Sequence, residues 1–132
     1  MSVASMATYG ETTDWGALAA VDEGVRGVSA SYAVKGGGAG GPRCVGVDWS
    51  RPRARFVVAS ALLRVDFGIR YDASEGFLVP CVPNRVRYLA WLAAVVGDDG
   101  SRRIRAVDVG TGASCVYALL AARCRGWMGS PL

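Results

Sequence analysis

The sequence predicts an α/β fold whose parallel sheet is incomplete, and three observations carry that prediction. Ile104 to Val109 has the length and the β-branched residues of a strand, Gly110 to Gly112 is a tight glycine loop, and Ala113 to Ala122 is a helix-forming run. Strand, glycine turn and helix in that order make half of a βαβ unit. The second strand is not visible in the pattern, because Trp127 is trailed only by Met-Gly-Ser-Pro-Leu. A length of 132 residues leaves room for one domain or part of a larger one. With 52% hydrophobic and 20% charged residues, the chain is expected to pack and not to stay disordered.

Residues 1–13 (MSVASMATYGETT) show no sustained periodicity and are expected to be a disordered tail. Asp14 can cap a short helix through Trp15, Leu18 and Val21, with Gly24 ending it. The N-terminal region, 14–46, also holds KGGGAGGP at 35–42, where a regular element would carry a large entropy cost. That stretch reads as a linker or an inserted loop.

From 47 to 132 the signals sharpen. Ser50 is a good N-cap, Pro52 suits a first helical turn, and Phe56, Ala59, Leu63 and Phe67 recur at helical spacing up to a stop at Gly68. Phe77 to Val79 should be extended before Pro80, and Val82 before Pro83. Asn84 then caps a second helix in which Tyr88, Trp91, Leu92 and Val95 face inward, closed by Gly97 and the Asp98-Asp99-Gly100 turn.

Charge is uneven along the chain. Residues 1–50 carry three basic and five acidic groups, and residues 51–132 carry twelve and six, so the positive field belongs to the second part. Fourteen of the fifteen basic residues are arginine, whose planar fork suits phosphate and carboxylate oxygens, although a GC-rich genome gives the same bias. The arginines at 51, 53, 55, 102, 103 and 105 are the candidates for nucleic-acid phosphate, with a solvated charged face as the alternative for each. Phe67, Tyr88, Trp91 and Trp127 are read as core and not as a base-stacking set.

Cys44, Cys81, Cys115 and Cys124 are widely spaced and histidine is absent, so a structural zinc site is not expected and the thiols should be free. No apolar run approaches the roughly 18 residues of a membrane span, and Met1 to Gly10 lacks the basic start and apolar segment of a signal peptide. Neither metal nor membrane is expected as a partner.

The segment from Asp108 to Ser114 is the most informative. Glycines at 110 and 112 permit a sharp turn and a close approach of ligand to main chain, while the following helix aims its N–H groups at the same place. The dinucleotide fingerprint Gly-x-Gly-x-x-Gly is not completed, since Cys115 stands where its third glycine would be. A carboxylate at Asp108 would repel a pyrophosphate and attract an ammonium or sulfonium group, which favours S-adenosylmethionine over NAD. The plain alternative is that Asp108 caps the turn.

VDVGTGASCVYALL resembles the first motif of the adenine-N6 RNA methyltransferases of the methyltransferase-like sixteen family, which act on U6 small nuclear RNA and have bacterial relatives acting on large-subunit ribosomal RNA. Other segments are similar in the same order: Asp14-Trp15-Gly16-Ala17-Leu18-Ala19, Asp48-Trp49-Ser50-Arg51-Pro52, and Leu62-Leu63-Arg64-Val65-Asp66-Phe67-Gly68. The run Leu78-Val79-Pro80-Cys81-Val82-Pro83-Asn84-Arg85, with Tyr88 and Trp91, looks like the family's Leu-Ile-Pro-x-Val-Pro-x-Arg-x-x-Tyr-x-x-Trp.

The resemblance implies the N-terminal part of a Rossmann-like methyltransferase fold, with a helical N-terminal region leading into the first strand and helix, and 47–132 as a truncated methyltransferase domain. It implies S-adenosylmethionine as cofactor, with Arg85, Gly110 and Ser114 as its contacts and Asp108 and Thr111 as lesser members of the same shell. The substrate it implies is a structured small nuclear or ribosomal RNA, and the location the nucleus, with the cytoplasm as alternative. The family's Asn-Pro-Pro-Phe tetrad and the ribose-binding acid of its second strand are absent from these residues. No catalytic residue is therefore assigned, and the chain is expected to be a truncated product, inactive alone. A non-catalytic, basic RNA-binding or protein-interaction module is the alternative.

Overall fold

A computed structural model of the chain describes residues 1–33, 43–72 and 76–131. The glycine tract read as a linker falls outside these residues.

The N-terminus corrects the expectation of a disordered tail. Val3–Ala7 form a helix, α1, capped by Ser2, whose Oγ accepts the Ser5 N–H at 3.1 Å. Met6 is fully buried, and the N-terminal ammonium donates to the Cys124 carbonyl at 3.1 Å. One cap and one deeply buried methionine anchor a segment too short to show a period.

Asp14 caps helix α2, Trp15–Val21, as expected, accepting the Ala17 N–H at 2.9 Å. Gly24 does not end it. The stop is Asp22, which caps a further helix, α3, Glu23–Val28, by accepting the Val25 N–H at 2.8 Å. Two strands absent from the sequence reading follow: β1, Ser29–Ala33, and β2, Arg43–Val47, pair antiparallel from Ser29 opposite Val47 to Ala33 opposite Arg43.

Helix α4 spans Ala54–Phe67 and closes at Gly68 as read. Its start lies later than Ser50, whose hydroxyl instead donates to Asp48 at 2.6 Å. The N-cap is Arg53, held left-handed at φ 63° with no side-chain cap. Helix α5, Val82–Val95, begins before Asn84, with Cys81 at the N-cap and Pro83 inside the first turn, where its missing N–H costs nothing. Its buried face is Val82, Val86, Leu89, Ala90 and Ala93. Tyr88 and Trp91, expected in the core, are 46% and 57% exposed, and Val95 is exposed too. The helix is apolar nearly all round, so periodicity alone did not choose between its faces. Phe67 and Trp127 are buried as read.

Strand β3, Arg105–Asp108, runs into the glycine turn, and helix α6, Val116–Arg125, leaves it. A second strand does follow, contrary to the reading: β4, Met128–Pro131, pairs parallel with β3 from Arg105 opposite Met128 to Asp108 opposite Pro131. Gly-Ser-Pro is poor strand sequence, and tertiary pairing overrides it. The close approach of α6 explains Gly129, where a Cβ would lie 3.2 Å from that of Ala118.

Apolar side chains from all six helices, with Val47, Ile69 and Trp127, form one cluster. Against it β3 is half-covered. Ala106 and Asp108 are half-buried, whereas Val107 and Val109 stand 62% and 79% exposed. The sheet is thus incomplete on one face, as expected.

Candidate functional site

The site is the end of β3. Asp108 is the strand's last residue, and one of its carboxylate oxygens, Oδ2, is buried without a hydrogen-bond partner among the described residues. A carboxyl oxygen removed from water and left unpaired is costly, so this position favours a cationic or hydrogen-donating guest. Asp108 does not cap the turn through that atom.

Beyond it, Gly110 and Gly112 take φ of 76° and 61°, the left-handed region that only glycine enters without strain. A Cβ at either position would meet nothing within 4 Å, so the turn presents bare main chain to open space. Thr111 is half-buried, with its hydroxyl 3.4 Å from the Gly112 carbonyl. Ser114 falls within the run 113–122 expected to be helical. It instead lies in the turn ahead of α6, whose N-cap is Cys115 at φ 46° with no side-chain cap. The left-handed residue before the helix displaces its start to Val116.

Arg85 reaches the same region from α5. Its Nη1 donates to the Tyr117 hydroxyl at 2.6 Å, and its guanidinium carbon lies 5.0 Å from that ring's centroid. Its Nε is buried and unpartnered among the described residues, a second polar atom with capacity to spare. Tyr117, near the start of α6, was not singled out in the sequence. Its position three residues after Ser114, on the first helical turn beyond the glycines, is the signal that marks it. Tyr117 and Tyr88 pack edge to face with centroids 5.3 Å apart, and both line, with Asp108, Leu92 and Trp127, a cavity of about 240 Å³. Gly110, Thr111 and Ser114 therefore lie in the loop that follows Asp108, and Arg85 meets Tyr117, which shares a cavity with Asp108.

Among the described residues no group of three or more His, Cys, Asp or Glu could hold a metal ion, and no helix is long and apolar enough to cross a membrane. The four cysteines are free thiols. The arginines at 51, 53, 55, 102, 103 and 105 are all exposed. They lie in two groups, before and at the start of α4 and on the approach to β3.

A parallel βαβ unit with an acid ending its first strand and a bare glycine turn before its helix is the ligand-binding end of a nucleotide-type α/β fold, where ligands sit beyond the carboxyl ends of the strands. More particularly, the chain belongs to a family of RNA methyltransferases, whose model matches residues 40–130. It is 40% identical over 86 residues to the human RNA N(6)-adenosine-methyltransferase METTL16, covering 63% of this chain and 15% of that protein. It is 37% identical over 100 residues to ribosomal RNA large subunit methyltransferase F of Shewanella loihica, covering 61% of this chain and 25% of that protein. The N-terminal domain of human METTL16 in complex with SAH superposes with a TM-score of 0.75 at 30% identity, over 94% of this chain and 46% of that one. The chain thus spans less than half the length of the relatives it matches.

Proposed function

We propose that these residues form the first half of an S-adenosylmethionine site in an RNA adenine-N6 methyltransferase. The observation that carries the reading is the buried Oδ2 of Asp108, unpaired among the described residues, beside a glycine turn open to solvent. That combination fits the cofactor, which is cationic at both its ammonium and its sulfonium and needs main chain without side-chain obstruction. S-adenosylmethionine, when bound, supplies an electrophilic methyl group to an amine.

Asp108 would hold a positive group of the cofactor, and Gly110 with Thr111 would let it lie against the backbone. Arg85, with its unused Nε, would grip a carboxylate with two donors. Ser114 would offer its hydroxyl from the turn. The relatives' names support adenine in RNA as acceptor, and the bound SAH of the human relative supports the cofactor. RNA, small nuclear or ribosomal, is the substrate class proposed, with nuclear residence and the cytoplasm as its alternative.

Within these 132 residues there is no Asn-Pro-Pro-Phe, and β4 carries no acid to bind ribose, so they are proposed to bind and not to turn over. Orientation of a flipped base supplies much of the acceleration in such transfers, and half a site does not provide it.

Calorimetry tests this. The chain should bind S-adenosylmethionine and SAH weakly, and lose both on Arg85→Ala or Asp108→Asn with the fold intact. A folded chain that gives no heat with either overturns the cofactor reading. If it then binds RNA with a steep salt dependence, the basic-module alternative, favoured by the exposed arginines, replaces it. Methylation of adenine in a hairpin RNA by the isolated chain, abolished by Gly110→Val, would refute the inactivity.

A further inference from the structure

A second concavity shares no lining residue with the Asp108 cavity. We propose that this cleft, between Trp15 and Trp49 on one side and Val82 and Pro83 on the other, is a stacking subsite for an unpaired RNA base, with Arg55 taking the adjoining phosphate. The inference rests on the RNA part of the reading above and adds a place for the RNA outside the cofactor site.

The cleft measures about 430 Å³, within the usual range for a small planar guest and its sugar. Val58, Ala59 and Leu62 of α4 line it and make its surface apolar. Trp15 and Trp49 meet edge to face, centroids 6.1 Å apart and planes at 88°. In that arrangement Trp15 covers at most one face of Trp49. Trp49 is accordingly 55% exposed. A large indole left half in water at the mouth of an apolar cleft is a stacking platform waiting for a planar partner.

Charge selects the partner. Among the described residues, Arg55 is the sole charged one lining the cleft. Its exposed side chain makes no ion pair or hydrogen bond among the described residues. Two more arginines precede it in the chain, outside the lining. Arg51 is 3.4 Å from Asp48, and Arg53 lies over the Phe56 ring at 4.8 Å. Arg55 therefore gives the cleft a positive edge beside its two indoles. A proline-rich peptide would suit the aromatics alone and leave Arg55 unmatched. A single-stranded nucleotide brings both a π-face and a phosphate, and so matches both features.

The test is fluorescence anisotropy of a labelled, short single-stranded oligoadenylate RNA titrated with the whole chain at several salt concentrations. Trp49→Ala should weaken binding about tenfold, and Trp49→Phe should restore most of it. Arg55→Ala should lower the slope of log affinity against log salt by about 0.7. An abasic strand of the same length should be indifferent to Trp49→Ala. Trp49 is exposed, so unchanged melting of its variants certifies the fold. RNA binding unaltered in Trp49→Ala removes the subsite while leaving the RNA reading in place. No RNA binding by the unmodified chain removes both, and Trp49-dependent binding of a proline-rich peptide in place of RNA replaces the proposed occupant. None of these outcomes depends on S-adenosylmethionine, which is absent from the assay.

Discussion

The indole Nε1 of Trp127 donates to Oδ2 of Asp98 at 2.7 Å, and the same oxygen accepts from Arg125 Nε at 2.7 Å. The other carboxylate oxygen takes the Gly100 N–H at 2.9 Å, and Arg125 Nη2 reaches the Asp98 carbonyl at 3.1 Å. One buried acid thus ties the loop after α5 to the end of α6 and the start of β4. It holds in place the two elements that complete the βαβ unit around the candidate site.

Removing this acid should be among the more damaging single changes. Asp98→Ala leaves the Trp127 indole and the nearly buried Arg125 without their acceptor. The expected loss is about 3 kcal/mol, the cost of breaking one side of a buried, hydrogen-bonded pair. Urea denaturation of the two proteins checks it, and a difference below about 1 kcal/mol would show that the network is dispensable.

The same network predicts a pH signature. Hydrogen bonding from Arg125 leads the effects that hold the Asp98 carboxyl down at about 2, against an ordinary value of 3.8, with Trp127 and Gly100 adding to it and burial opposing. Because the folded value lies below the unfolded one, the stabilisation is fully present above the unfolded value. It is lost as pH falls through the folded one. The urea-midpoint gap between the native chain and Asp98→Asn should therefore be constant from about pH 7 to about pH 5 and shrink between about pH 4 and pH 2. A gap that persists undiminished at the acid end contradicts the assignment.

Met6 supplies a test of the N-terminal correction. Its side chain is fully buried, so Met6→Ala should cost about 2 to 4 kcal/mol, the range for removing a long apolar side chain from a packed core. Removal of a true tail would leave the melting temperature unchanged. Thermal unfolding of Met6→Ala beside the exposed control Ala4→Gly separates the two, since the control should shift it by far less.

Some features were legible because one residue determines each. Asp14 caps α2, Gly68 stops α4, and Gly110 and Gly112 make the turn, each through a local rule that needs no partner. What was not legible depended on contacts distant in sequence. The fate of Met6 depends on residues far along the chain, and β4 forms only because β3 offers it hydrogen bonds. Tyr88 and Trp91 were misplaced because α5 has apolar residues on every side, and its neighbours chose which to bury. In the site, Asp108 and the glycines were readable from chemistry and Arg85 from resemblance. Tyr117 is marked in the sequence by its spacing from the glycines, but its hydrogen bond with Arg85 forms only once α5 and α6 are packed together.

The exposed face of β3 makes the last prediction. Val107 and Val109 present apolar side chains to water on a sheet of two strands, and Met128 on β4 is exposed as well. β3 is paired along one edge with β4, and no other strand among the described residues pairs with its second edge. Unpaired backbone donors and acceptors beside bare valines are the conditions under which strands associate between molecules. These 132 residues should therefore self-associate as concentration rises. Val107→Lys should suppress the association by placing a charge on the bare face. The substitution should cost little stability, because the side chain is already in water. Sedimentation velocity of both proteins over a range of concentrations checks this. A native chain that stays monomeric throughout would show that the open edge is protected, and an associating Val107→Lys would show that another surface is responsible.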